Sequence, residues 1–127
     1  MRKTLTTEGA LQNYPLSPAI ETDHYVIVSG TVAFDEQTGH RSAEADTIQA
    51  ETKLCLEMIE KLLRQANCSL SDVVKTTVYL SDIEYYGAMN EAYSEYWEQG
   101  YFPTRATLVV GLVSDCRVEI EAVAVKA

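Results

Sequence analysis

From about Asp46 to Ala66, Ile48, Thr52, Cys55, Ile59, Leu62, Leu63 and Ala66 recur at three- and four-residue steps. That period predicts one helix with a single buried face. Asp46 and Gln49, three residues apart, have the form of a capping box. Glu44, Asp46 and Glu51 near the start and Lys61 and Arg64 near the end suit the helix dipole. Asn67 is the expected stop. Ser81-Asp82 caps a second expected helix, Ile83 to Glu98, with Ile83, Tyr86, Asn90, Tyr93 and Trp97 as its face. Asn90 is a polar amide in that stripe, either half-exposed at the helix edge or hydrogen-bonded inside. Gly100 ends this helix.

The remaining pattern is β-like. Lys3 to Thr7 reads as a short edge or hairpin strand, broken at Glu8-Gly9-Ala10, and residues 11–19 read as an ordered loop. Tyr25 to Ala33 is a strand interrupted at Ser29-Gly30, where a glycine marks a bulge or a close backbone approach by a ligand. Asp35 to Gly39 is a turn. Val73 to Leu80 is β-branched, with Val74, Thr76, Val78 and Leu80 on one face. Two strands close the chain, 106–112 and 117–125. The order is strand, strand, helix, strand, helix, strand, strand. Two strand–helix–strand units imply an α+β fold, a mixed sheet with both helices on one face. Thr76, Val78, Val109, Val123 and Val125 fit no single parity, so the other sheet face is not fully polar. Two helices cannot cover it, and a symmetric oligomer is expected.

The 127 residues fit a single domain, 1–127. No apolar run approaches the ~20 residues of a membrane helix. The opening Met1-Arg2-Lys3-Thr4-Leu5 has two basic residues but no apolar stretch behind them, so no secretory signal is expected and a cytoplasmic location is. The formal net charge is −9 and the ten basic residues form no run, which works against nucleic acid as a partner. Cys55, Cys68 and Cys116 are far apart and show no Cys-x-x-Cys, and His24 and His40 have no ligand spacing, so neither a disulfide framework nor a metal is expected. Cys55 falls on the helix's apolar face, where a thiol packs as a small hydrophobe.

Candidate chemistry sits near the end of the chain. Arg105 follows Phe102-Pro103-Thr104 at the mouth of an apolar strand, and a guanidinium held there suits bidentate recognition of a carboxylate. A surface or structural arginine is the ordinary alternative. Glu119 and Glu121 alternate along the last strand, and a solvated edge is their usual explanation. Arg117, on the same face, could pair with either. If the last two strands form a hairpin with a turn near 113–115, Arg105 lies opposite residue 122 or 123. Glu119 is then roughly 10–13 Å away along the strand. Contact would require the long arginine arm, a water or substrate as a bridge, or a residue from a neighbouring subunit. The bridge is favoured on this register, and Glu121 is taken as structural.

The motifs together resemble the RidA/YjgF family, also described as endoribonuclease L-PSP. The likeness rests on Val28-Ser29-Gly30, the Gly39 turn, Asp72 to Asp82, Asn90 with Tyr93, Phe102-Pro103-Thr104-Arg105, and Val118-Glu119-Ile120-Glu121-Ala122-Val123-Ala124. It implies a chorismate mutase-like fold and a homotrimer with intersubunit clefts. It implies hydrolysis of reactive enamines and imines of the 2-aminoacrylate class to 2-keto acids and ammonia, without a cofactor. Arg105 then corresponds to the arginine that holds the substrate carboxylate, and Glu119 to the residue that orients water. Ser29, Gly30 and Asn90 match positions lining the cleft. This chain departs from the family at two places. Pro15-Leu16-Ser17 stands where the family often has Pro-Tyr-Ser, so Leu16 removes a cleft hydroxyl, which Tyr14 could replace only if the loop shifts. Thr107 stands where a cysteine often follows the arginine, and Leu112-Val113 where Leu-Pro is common. Leu16 also motivates the alternative of a non-catalytic regulatory protein that binds small carboxylates. Ribonuclease activity is suggested by the family's description alone, and the −9 charge argues against it.

Overall fold

The computed structural model describes residues 1–7 and 13–127. The expected break at Glu8-Gly9-Ala10 and the first part of the early loop lie outside them. The elements are β1 (Arg2–Leu5), β2 (Ala19–Thr22), β3 (Tyr25–Val32), β4 (Phe34–Asp35), β5 (His40–Arg41), α1 (Ile48–Arg64), β6 (Val73–Leu80), α2 (Tyr86–Ser94), β7 (Thr104–Val109) and β8 (Val118–Val125). Single 3₁₀ turns at Leu70–Asp72 and Ile83–Tyr85 precede β6 and α2. No helix among the described residues is long and apolar enough to cross a membrane.

The main sheet has the order β1-β2-β3-β8-β6-β7. Only β6 and β7 are parallel neighbours, so the sheet is mixed, as expected. Both β3–α1–β6 and β6–α2–β7 are parallel crossovers, and α1 packs against α2, β3 and β8. The expected hairpin between the last two strands does not form. β7 lies on the sheet edge beside β6, and β8 inserts between β3 and β6. Burial explains the choice. Val118, Ile120, Ala122 and Ala124 of β8 are all buried under the helices, whereas no side chain of β7 is. The strand with the continuous apolar face takes the centre, and the strand carrying an arginine takes the rim.

Several local expectations shift. Thr47, not Asp46, caps α1, its hydroxyl accepting from the Ala50 amide at 3.0 Å. Asn67 adopts φ 58° just past the helix, the left-handed stop its short polar side chain tolerates. Asp82 does cap at Ser81-Asp82, but it caps the 3₁₀ turn, and α2 is only nine residues long. Its buried side is Met89, Ala92 and Tyr93, with Trp97 following; Ile83 and Tyr86 are exposed. Asn90 is half-buried. The short strands β2, β4 and β5 have too few residues to show a period.

On β6, Thr76, Val78 and Leu80 are buried beneath the helices as expected. A bulge between Val73 and Lys75 puts Val73 rather than Val74 into the core. Thr76 and Val78 therefore do not belong to the open face, and Val109, paired with the buried Leu80, does not either. Val123 and Val125 do, with Tyr25, Ile27 and Leu108 in the same parity on neighbouring strands. Tyr25, Ile27, Leu108 and Val125 are all exposed, so the side of the sheet away from the helices presents a group of apolar side chains to its surroundings, beside Lys75, Glu119 and Glu121.

Arg117 pairs with neither Glu119 nor Glu121. It reaches the fully buried Glu51 on α1, with Nε to Oε1 at 2.8 Å. The backbone amides of Arg117 and Val118 donate to Glu51 Oε2 at 2.6 and 2.9 Å. Arg117 Nη2 donates to the Ala45 carbonyl at 2.8 Å. Glu51 thus caps the entry to β8 at Arg117 and Val118 from inside the core, where the sequence suggested only a helix-dipole role.

Candidate active site

The parallel crossover through α2 brings Arg105 under the helix. Thr76 on β6 lies opposite Arg105, and its hydroxyl shares a 2.7 Å hydrogen bond with Tyr93 Oη on α2. The Arg105 guanidinium carbon lies 5.0 Å from the Tyr93 ring centroid and 5.8 Å from that of Tyr86, both cation–π distances. Nη2 donates to Tyr86 Oη at 3.4 Å, and Nη1 lies 3.9 Å from Met89 Sδ. Among the described residues no carboxylate is within ion-pair distance of Arg105. Its cation is held by rings, a phenol and a thioether, all neutral. Thr107, two residues on, shares the Arg105 parity, and Asn90 lies one turn from Tyr86 on α2. Asn90 hydrogen-bonds the Tyr86 phenol and, followed by the Arg105 charge, holds that phenol below its usual pKa.

Glu119 belongs to a second group. On β8 it lies opposite Val32 of β3 and Tyr79 of β6. Ser29 and Gly30 occupy the bulge between Val28 and Thr31, so the expected interruption is a bulge. The glycine also meets a second demand, because a Cβ at Gly30 would overlap the Glu119 carboxylate. Ser29 ties the early loop to this point, its amide donating to the Pro18 carbonyl at 2.9 Å and its hydroxyl to the Ser17 carbonyl. Leu16 sits in that loop and is exposed, its amide bonded to the Tyr14 carbonyl. Burial first, and the neighbouring Glu121 charge second, push the Glu119 carboxyl above its ordinary pKa. Glu121 accepts a 2.6 Å hydrogen bond from Tyr79 Oη, which gives it a structural partner.

These two groups do not meet within one chain. Thr76 is opposite both Arg105 on β7 and Ala122 on β8, so Arg105 and Ala122 share a row and a face. The sequence reading therefore has the row right and the neighbour wrong, since β6 stands between. Glu119 lies three residues further along β8, about 10 Å, and two strands over, about another 10 Å. The odd offset places Glu119 on the opposite side of the sheet from Arg105. A direct ion pair and a bridging water or substrate are both excluded inside a single chain, because the sheet itself intervenes. Gly30, beside Ser29 in the bulge, lies against Glu119, and Ser29 in turn holds the loop that carries Leu16; Asn90 reaches Arg105 through the Tyr86 phenol, and Thr107 shares the Arg105 face of β7.

The sequence pattern sets Tyr86 and Tyr93 on one expected face of the second helix. Tyr93 is buried, but Tyr86 is exposed beside Arg105. The four-residue spacing of Tyr86 and Asn90 put them on one helix face; only the crossover showed that this face overhangs β7.

Residues 7–126 match the family model described as Endoribonuclease L-PSP. The chain belongs to the RidA/YjgF family. A mouse family member named 2-iminobutanoate/2-iminopropanoate deaminase is 37% identical over 128 residues, 99% of this chain and 93% of that protein. A Pyrococcus abyssi protein named as RutC family is 39% identical over 112 residues, 88% of this chain and 87% of that one. The solved RidA from an Antarctic Psychrobacter superimposes with a TM-score of 0.85 at 28% identity, covering 98% of this chain and 99% of that one. The six-stranded mixed sheet with two helices on one face is thus the family's fold.

Proposed function

We propose that the protein is a cofactor-independent deaminase of reactive 2-imino acids and their enamine tautomers, of the 2-aminoacrylate class, acting in clefts between the subunits of a homotrimer. The observation that carries this reading is the Arg105 guanidinium, half-exposed on an edge strand and, among the described residues, held by neutral groups alone. Such a cation is a ready receptor for a small carboxylate. The name of the mouse relative supports the substrate class.

The chemistry asks little of the protein. The enamine tautomerises to an imine whose carbon is electrophilic. Arg105 fixes the carboxylate, and water adds to the carbon of the protonated imine as Glu119 takes a proton from it, which gives a neutral carbinolamine. Glu119 then returns that proton to the nitrogen, the C–N bond breaks, and the hydroxyl proton passes through Glu119 to the departing ammonia, leaving the 2-keto acid and ammonium. A carboxyl raised toward the operating pH is better matched to these transfers than an ordinary one. Each cleft takes Arg105, Asn90 and Thr107 from one chain and Glu119, Gly30, Ser29 and Leu16 from its neighbour. The opposite-face arrangement of Arg105 and Glu119 supports that division, and the exposed apolar residues on the Glu119 side supply the contact. Three unpaired cysteines accord with a cytoplasmic location.

A dehydratase that generates 2-aminoacrylate or 2-aminocrotonate in place, with keto-acid release followed optically, tests the reading. The wild type should accelerate release above the spontaneous rate. Arg105→Ala should lower kcat/KM by roughly 10²–10⁴-fold, the loss of two charged hydrogen bonds. Release at the spontaneous rate with wild type overturns the proposal. Leu16, apolar and exposed where the family often carries a tyrosine, favours one second reading, a non-catalytic carboxylate sensor. Calorimetric binding of 2-ketobutyrate without turnover of any imino acid would select it.

A further inference from the structure

Tyr86 has a feature that the deaminase reading leaves unused. Its phenol oxygen faces two donors, Nη2 of Arg105 at 3.4 Å and the amide of Asn90. A phenol has one proton to donate and lone pairs to accept with. With the oxygen turned toward a guanidinium and an amide, its O–H is left to point away from both. Tyr86 is exposed beside Arg105, so its hydroxyl hydrogen can turn toward a ligand held on that guanidinium. Nothing else in the described structure accepts it.

We propose that Tyr86 is a substrate-binding residue that donates its phenolic hydrogen to the carboxylate of the acid held by Arg105. This rests on Arg105 being the carboxylate anchor. The Asn90 hydrogen bond first, and the Arg105 cation second, draw on the phenol oxygen and make its proton a better donor, in keeping with the lowered pKa of that group. A carboxylate at this point accepts from the guanidinium and from the phenol together, so α2 contributes to recognition as well as to covering the sheet. The chain thereby places an aromatic hydroxyl beside the anchor although Leu16 withholds one from the early loop. The ligand class this favours is a small 2-keto or 2-imino acid whose carboxylate is unencumbered. A carboxylic ester or amide lacks the charge that both donors require.

Calorimetry with 2-ketobutyrate on the intact oligomer, for wild type, Tyr86→Phe and Arg105→Ala, tests this, with a structure of the wild-type complex beside it. Tyr86→Phe is expected to raise Kd about tenfold, the effect of one hydrogen bond to a charged group, with Tm unchanged because the phenol is exposed. The complex should place a carboxylate oxygen about 2.6–2.8 Å from Tyr86 Oη. An unchanged Kd for Tyr86→Phe, with binding abolished in Arg105→Ala, overturns the phenol's role and leaves the anchor standing. A raised Kd with the ligand beyond hydrogen-bond distance of Oη and Arg105 displaced in Tyr86→Phe also overturns it, since Tyr86 would then only position the arginine. Undiminished binding in Arg105→Ala sinks the anchor and this inference together.

Discussion

Replacing Gly30 with alanine should impair the site while sparing the fold. The backbone at Gly30 lies outside the left-handed region, so alanine meets no conformational barrier there. What it meets is Glu119. The new Cβ would stand 3.0 Å from Cδ and 3.4 Å from Cγ, and closer still to Oε2. Ordinary carbon contacts begin near about 3.5 Å, so the carboxylate must retreat by roughly an ångström or more. Glu119 is only half-buried and the obstruction is the end of a flexible side chain, so it can do so. An off-rotamer adjustment costs about 0.5–1.5 kcal/mol. The smaller unfolded-state entropy of alanine returns about 0.4–1 kcal/mol. Stability should therefore change by no more than about 1 kcal/mol. Activity should not be spared, since an ångström's misplacement of a reacting group costs on the order of 10²-fold. The assay is kcat/KM with enzymatically generated 2-aminoacrylate, paired with a thermal melt. A Gly30→Ala protein that keeps its activity although its Glu119 has visibly moved would refute the role given to that carboxylate. One that fails to fold would refute the steric reasoning.

Three further outcomes are expected. Glu51→Ala strands the Arg117 guanidinium and the Arg117 and Val118 amides at a buried point, and should cost about 3–5 kcal/mol in urea unfolding; a loss under about 1 kcal/mol would contradict the network. Because Glu119 must be ionised to accept a proton and its pKa is raised, the acid limb of kcat/KM should lie above the ordinary carboxylate range. Glu121→Gln keeps an acceptor for Tyr79 while removing the repelling charge, so that limb should move to lower pH, and an unmoved or rising limb counts against the assignment. Arg105→Ala and Glu119→Gln chains, each inactive alone, should recover about a quarter of wild-type activity when refolded as an equal mixture, since random pairing leaves one cleft in four with both groups. No recovery would mean that each cleft draws both groups from one chain.

The helical period from Ile48 to Ala66 and the β-branched run from Val73 to Leu80 were legible because each buries one face over many residues. The α2 stripe was harder to read, since four of its five expected members are aromatic or apolar, yet Ile83 falls in the preceding 3₁₀ turn and the exposed Tyr86 differs from the buried Tyr93 only in what lies opposite. Strand order was not legible at all. Residues 106–112 and 117–125 are adjacent in sequence, and a hairpin is the ordinary outcome. The structure reverses it because four alternate side chains of β8 fill the core and β7 has none to offer. That contrast is visible in Arg105 and Thr107 against Ile120, Ala122 and Ala124, but only once one asks which strand can afford to be an edge.

The site's residues could be named from sequence while its geometry could not, and the difference lies in parity. Motif likeness marks Arg105 and Glu119 without regard to which side of the sheet each faces. The register of β6 with both β7 and β8 settles that they face opposite sides, whatever rotamers they take. The proposed site, which uses both, therefore draws on a second chain, and the uncovered sheet face is where such a chain would pack. Glu119 shares its face with Ile27, Val123 and Leu108, the apolar residues that two helices leave uncovered. A partner that covers those residues brings its own surface to the rim of Glu119. If that surface is the β7 edge with α2 above it, Arg105 and Tyr86 arrive with it. Burying the open face and completing the site are then one event, so a change at Ile27 far from any reacting atom should abolish turnover as surely as a change at Arg105.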